Sequence, residues 1–132
     1  TMNLRDYFAN TSGFGVLSTA NAEGRVDAAV YARPHVMDDG SVAFIMAERL
    51  THANLQSNPH AAFLFREEGE GYRGKRLFLT KTGEEKDTER LLQLRRRGVC
   101  DEVPEGRHLV FFQVDRVLPL VGAGETLAST TP

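Results

Sequence analysis

The sequence predicts a mainly β protein with short helices, a six-stranded antiparallel barrel with its helices at the ends. Three observations predict it. Apolar residues recur with period two, or in short unbroken runs, along most of the chain, which is the signature of strands. Tight turns such as Asn21-Ala-Glu-Gly24 and Met37-Asp-Asp-Gly-Ser41 separate several of these runs, and turns of that kind join antiparallel neighbours. The element order reads helix, three strands, helix, two strands, helix, strand, without the regular alternation of a doubly wound sheet. Closing such a sheet into a barrel removes its exposed edges.

Residues 4–9 read as a short helix with Asn3 as N-cap and Asp6 in the first turn, where an acid favours the helix dipole. A strand over 14–20 follows, then a turn at Gly24 and a second strand over 25–33. Alternation puts Val26, Ala28, Val30 and Ala32 on one face of that strand, and Asp27, Ala29, Tyr31 and Arg33 on the other. Pro34 cannot donate to a ladder and marks an edge or an end. The all-apolar run 42–47 is a buried strand, and 51–57 is a helix with Thr51 as its N-cap, stopped by Asn58-Pro59. Strands over 61–66 and 75–82 flank a polar loop. Residues 87–97 form the clearest helix, with acids at its start, Arg95, Arg96 and Arg97 at its end, and Leu91, Leu92 and Leu94 as its buried stripe. The last strand covers 109–118, so a single domain over 1–120 precedes a tail at 121–132.

Composition bounds the function. The chain has 132 residues, 41% hydrophobic and 26% charged, enough for a core without staples. Sixteen basic and eighteen acidic side chains leave a net charge of −2, which argues against a nucleic-acid partner. A single cysteine, Cys100, excludes an internal disulfide framework and reads as an inert side chain. No apolar run approaches the roughly 18 residues of a membrane span. A protein of the cytoplasm, without membrane or nucleic-acid partners, is expected.

Most motif-like features have simple readings. Gly69-Glu-Gly71-Tyr-Arg-Gly74 matches a dinucleotide fingerprint letter for letter, but a strand follows it. The fingerprint works only when a helix N-terminus follows the glycines, so this is a hairpin loop. His35, His52, His60 and His108 show no helical i,i+4 pair and no carboxylate at ligand spacing, and no metal site is expected from them. The three arginines at 95–97 fit a solvated helix end. One junction stands apart: Glu48 to Asn54 would set backbone N–H groups, the Thr51 hydroxyl, Arg49 and His52 at one helix N-terminus. That is either phosphate-holding equipment or an ordinary capped helix.

Leu17-Ser-Thr-Ala20, Glu23-Gly-Arg25, Asp39-Gly40, the strand from Phe44 to Ala47, and Asn54-Leu-Gln-Ser-Asn-Pro59 running into His-Ala-Ala-Phe-Leu-Phe65 form an ordered set. In that order they resemble the flavin-binding split barrels of the pyridoxamine 5′-phosphate oxidase-like family. The resemblance covers roughly residues 3–120. It implies a split β-barrel, a homodimer, and FMN held in clefts at the dimer interface. It implies that Val30, Tyr31, Met46 and Ala47 wall the flavin ring, and that Glu48, Arg49, Thr51 and His52 form the phosphate end, with Asn54 supporting the helix. Arg33 would reach the phosphate or the ring edge, and Lys75 with Arg76 would reach across the dimer. The chain departs from the family where many members carry a Ser-Arg/Lys-Lys cluster, here Arg49-Leu-Thr-His52. The C-terminal arginine–histidine signature of the true oxidases is not recognisable, so activity on that vitamer is not expected. The function implied is an FMN-dependent oxidoreductase of unknown small-molecule substrate, with no catalytic acid or base nominated. The alternative is a non-catalytic flavin or haem module, with His52 or His35 as axial ligand. Dimerisation would draw on the apolar runs 61–65 and 109–112.

Overall fold

Asn3 opens the first helix, α1 (Leu4–Asn10), as expected: its side chain accepts from the Asp6 backbone N–H at 3.2 Å. Seven strands follow in the computed structural model, which describes residues 3–86, 88–91, 93 and 107–122. They are β1 (Gly13–Ala20), β2 (Val26–Val30), β3 (His35–Val36), β4 (Val42–Met46), β5 (His60–Glu67), β6 (Gly74–Lys86) and β7 (His108–Pro119), with helix α2 (Leu50–Ser57) between β4 and β5. Every pairing is antiparallel, in the order β2-β1-β5-β6-β7-β4-β3. The sheet is rolled, because rings from strands far apart in that order meet inside it. Phe44 of β4 lies 5.0 Å from Phe63 of β5, centroid to centroid, across the interior, and Phe112 of the neighbouring β7 packs edge-on to it at 5.8 Å. β2 and β3 end the order without pairing to each other, so the barrel is split rather than closed.

The sequence-based count of six strands misses β3, whose two residues are too few to show a period. Regular pairing of β2 with β1 stops at Val30 rather than 33, and Pro34 lies just beyond. The longest departure is β6, expected to end at 82. It continues to Lys86 through irregularities between Phe78 and Leu79 and between Lys81 and Gly83, because bulges let a polar segment stay paired with β7. The helix expected at 87–97 falls mostly outside the described residues, as do Arg95–Arg97, Cys100 and most of the tail. Of that segment, residues 89–91 and 93 are helical, and Leu91 is buried with Ala43 and Leu109.

Alternation sets the core. Leu17, Phe63, Phe65, Leu77, Leu79, Val110 and Phe112 point inward and are almost wholly buried. Two glycines of β1 make room for the phenylalanines: a Cβ on Gly15 would stand 2.4 Å from the Phe63 ring, and one on Gly13 2.6 Å from the Phe65 ring. The two helices plug opposite ends. Phe8 of α1 packs edge-on to Phe63 and Phe65, while Asn54 of α2 donates to the Thr19 hydroxyl at 3.0 Å, both groups buried.

Candidate functional site

The N-terminus of α2 differs from the sequence-based expectation. Thr51 is not the N-cap. Arg49 is, with extended φ −132 and ψ −163, and among the described residues no side chain caps the helix. A cap must stand just before the first helical residue, whereas Thr51 lies one residue inside and is 4% exposed. Its hydroxyl is hydrogen-bonded to the Tyr31 phenol instead. The first turn of α2 therefore presents N–H groups with no side-chain acceptor, at the positive end of the helix dipole.

Tyr31 reaches this end from the chain just after β2, with its ring 5.8 Å from Phe44. Burial pushes its phenol up from the ordinary value. The Thr51 hydrogen bond and the charges of Arg107 and Arg49 act against burial without cancelling it, and Asp27 adds to it. The phenol thus stays protonated, a donor beside two guanidinium groups. Arg107, just before β7, was not singled out from the sequence; only the rolling of the sheet brings it to Tyr31.

The other residues implied by the resemblance scatter around this centre. Met46 is core, and Ala47 accepts the Arg49 N–H at 2.9 Å. Val30 points outward, 67% exposed. Asn54 supports the helix through Thr19. Arg33 is directed elsewhere: its guanidinium donates to the carbonyls of Phe8 (2.8 Å) and Thr11 (2.9 Å), tying the end of α1. Lys75 sits at the α1 end of the barrel, its ammonium 4.6 Å from the Tyr7 ring centroid. Arg76 bonds the carbonyls of Pro119 and Gly122.

Glu48 and His52 face a different cluster. The His52 Nε2 lies 3.0 Å from Glu84 of β6, and its ring stacks on His108 of β7 with centroids 3.9 Å apart. His108 Nε2 is 3.1 Å from Glu48. Burial alone would raise the Glu84 carboxyl, but hydrogen bonds from Lys81, His52 and Gln56 outweigh it and hold the group at about 2. The hydrogen bond from His108, helped by Lys86, lowers Glu48 as well. Sequence spacing could not reveal this cluster, because its members come from α2, β6, β7 and the turn before α2. A wide recess along Arg5, Asp38, Thr82, Arg90 and Phe111 lies apart from Tyr31, Arg49 and Thr51.

No family model matches the chain, and no curated protein matches it. Solved structures do. An FMN-binding protein from Syntrophomonas wolfei subsp. wolfei is similar at TM-score 0.74 and 19% identity, over 90% of this chain and 84% of that one. An F420 reductase is similar at TM-score 0.65 and 19% identity, over 89% and 98%. HutZ, the haem storage protein from Vibrio cholerae, is similar at TM-score 0.66 and 17% identity, over 89% and 95%. At these identities the likeness is one of fold. The chain has the split-barrel fold of pyridoxamine 5′-phosphate oxidase-like proteins.

Proposed function

From the fold that this chain shares with an FMN-binding protein, we propose that it binds FMN between two copies of itself and serves as a flavin-dependent oxidoreductase on a small molecule. The observation that carries this reading is the open first turn of α2 beside Arg49, Thr51 and Tyr31. Backbone N–H groups at a helix N-terminus and a guanidinium suit a phosphate monoester. The buried phenol of Tyr31 adds a neutral donor that cannot repel the anion. Bound flavin supplies the electron transfer; the chain holds the phosphate, orients the ring and keeps water from one face of it.

An outward-facing apolar strip supports the dimer. Phe14, Val26, Val30 and Leu64 are 55%, 82%, 67% and 39% exposed. Val16 pairs with both Val30 and Leu64, so these positions adjoin on one sheet face. The surplus apolar surface is therefore on β2, β1 and β5. The 109–112 run does not supply it, since Leu109, Val110 and Phe112 are 0% exposed. Lys75 lays its ammonium on the Tyr7 ring of α1, and its contact to a phosphate would come from the partner copy. The geometry does not favour the haem alternative through His52, which faces Glu84 and stacks on His108.

Fluorescence titration with FMN and riboflavin tests the reading. FMN should bind at least about tenfold more tightly, the scale of one charge-assisted contact. Arg49→Ala should weaken FMN and leave riboflavin unchanged, with a smaller effect in high salt. Equal affinities for the two flavins, a monomer in sedimentation with FMN bound, or a purified protein showing a Soret band and no flavin would each overturn it.

A further inference from the structure

We propose that His52, Glu84 and His108 form a binding site for one divalent transition-metal ion, with Glu48 holding His108 in the tautomer that ligates. The three side chains come from α2, β6 and β7, and their candidate donor atoms all lie within 4.8 Å of one another. Glu84 Oε2 is 3.0 Å from His52 Nε2 and 3.3 Å from His108 Nδ1. Two ligand atoms bound at about 2.0–2.2 Å to a tetrahedral ion stand roughly 3.3 Å apart, so both separations match a shared ion.

The two oxygens of Glu84 have different partners. Oε1 takes the Lys81 ammonium at 2.8 Å and the Gln56 amide at 3.1 Å. Oε2 faces the two imidazoles. The carboxylate is thus held in place from one side and offers its other oxygen to the site.

His108 supplies the second, independent observation. It is 5% exposed, and among the described residues its Nδ1 finds no hydrogen-bond partner. On the far side of the ring, Nε2 meets the Glu48 carboxylate at 3.1 Å. An ionised carboxylate only accepts, so Nε2 carries a hydrogen, and when the ring holds only that one its lone pair is on Nδ1. That lone pair then faces the lone pairs of Glu84 Oε2 at 3.3 Å, an acceptor against an acceptor. A cation between them relieves that contact, either a second proton on the ring, which makes the pair an ion pair, or a bound metal ion. A carboxylate on the outer nitrogen of a ligating histidine is also the common support of metal sites.

Two imidazoles and one carboxylate favour ions from cobalt to zinc over magnesium or calcium, which prefer oxygen. The site has room for ligation only after one adjustment. A metal lies in the plane of each ligating ring, and here the rings are stacked, 21° from parallel. Binding therefore turns the His52 ring out of the stack and moves its single hydrogen from Nε2 to Nδ1, so that the neutral ring ligates through Nε2. His52 is the ring able to move, because its partners, Glu84 and Gln56, are side chains on one flank.

The test uses tag-free, full-length protein stripped with a chelator, then titrated with Zn²⁺ against a chromophoric competitor, and separately with Co²⁺. The expected result is one Zn²⁺ per chain, with visible Co²⁺ bands of a four-coordinate site and a Tm raised by the ion. His52→Ala and Glu84→Gln should each weaken Zn²⁺ by more than about tenfold, and Glu48→Gln by about tenfold, as a supporting contact does. His52→Ala removes a partly exposed side chain, so it keeps the test open where His108→Ala fails to fold. His60→Ala should change nothing. Absence of Zn²⁺ binding by the wild-type protein, or one-equivalent binding that survives both His52→Ala and Glu84→Gln, would overturn the proposal.

Discussion

Replacing Arg33 with methionine removes the two hydrogen bonds that fasten the end of α1 to the chain beyond β2. Hydrogen bonds from a charged donor contribute about 1.5–3 kcal/mol each when shielded. The bond to Phe8 is half-buried and the one to Thr11 is exposed, so the pair sums to about 2–3 kcal/mol, most of it from the first. The unfolding entropy of a chain of 132 residues is about 0.28 kcal/mol/K, taking about 2.1 cal/mol/K per residue. The expected loss is therefore about 7–11 °C in Tm. Calorimetry at one fixed protein concentration measures it, since self-association shifts Tm by mass action. FMN affinity and flavin reduction potential should change little. A Tm within about 2 °C of wild type, together with a tenfold loss of FMN affinity, would refute the reasoning and return Arg33 to the ligand.

Gly15→Ala should cost about 2–3 kcal/mol by urea unfolding, because the new Cβ meets the Phe63 ring at 2.4 Å and the Tyr31 carbonyl oxygen at 2.7 Å; a neutral effect would mean β1 shifts freely. Asn54→Ala should cost about 1–3 kcal/mol by leaving the buried Thr19 hydroxyl unpaired, and adding Thr19→Val should recover part of that in a double-mutant cycle. On the alkaline side, burial holds the phenols of Tyr7 and Tyr31 above their usual 10, with the Glu67 contact adding to the effect at Tyr7. The unfolded chain then loses those protons first, so their contribution is complete below pH 10 and is lost as the pH climbs past it. Urea midpoints across the alkaline range should fall, and Tyr7→Phe should flatten the fall; a flat wild-type profile would refute it.

Where one residue's neighbours in sequence decide its structure, the sequence was readable. Asn3 caps α1, Asp39-Gly40 turns between β3 and β4, and the run Val42–Met46 is buried. Gly69 and Gly71 lie in a loop at φ +115 and +85, and Gly74 opens β6. Long-range geometry was not readable. Thr51 looked like a cap because threonine favours that place, and only Tyr31 arriving from β2 shows why it is buried inside the first turn. Arg33 was assigned to the Tyr31 face by continuing an alternation that regular pairing does not sustain beyond Val30. The His52–Glu84–His108 group left no local spacing to find. Membrane anchoring through a helix is not supported by any described helix, none being long and apolar enough to cross.

The strand order has a kinetic consequence. β1 and β2, and β5 and β6, are neighbours in the chain and can zip up as hairpins early. Val42 meets Phe112 only when the last strand returns to the first half of the chain. Loop-closure entropy must be met before such distant pairing is rewarded, which places folding in the millisecond-to-second range typical of β-rich topologies. Tyr31, Thr51 and Arg107 lie on three segments that converge only at that late closure. The anion end of α2 is thus a reporter of the finished barrel, and a ligand held there slows unfolding more than it speeds folding.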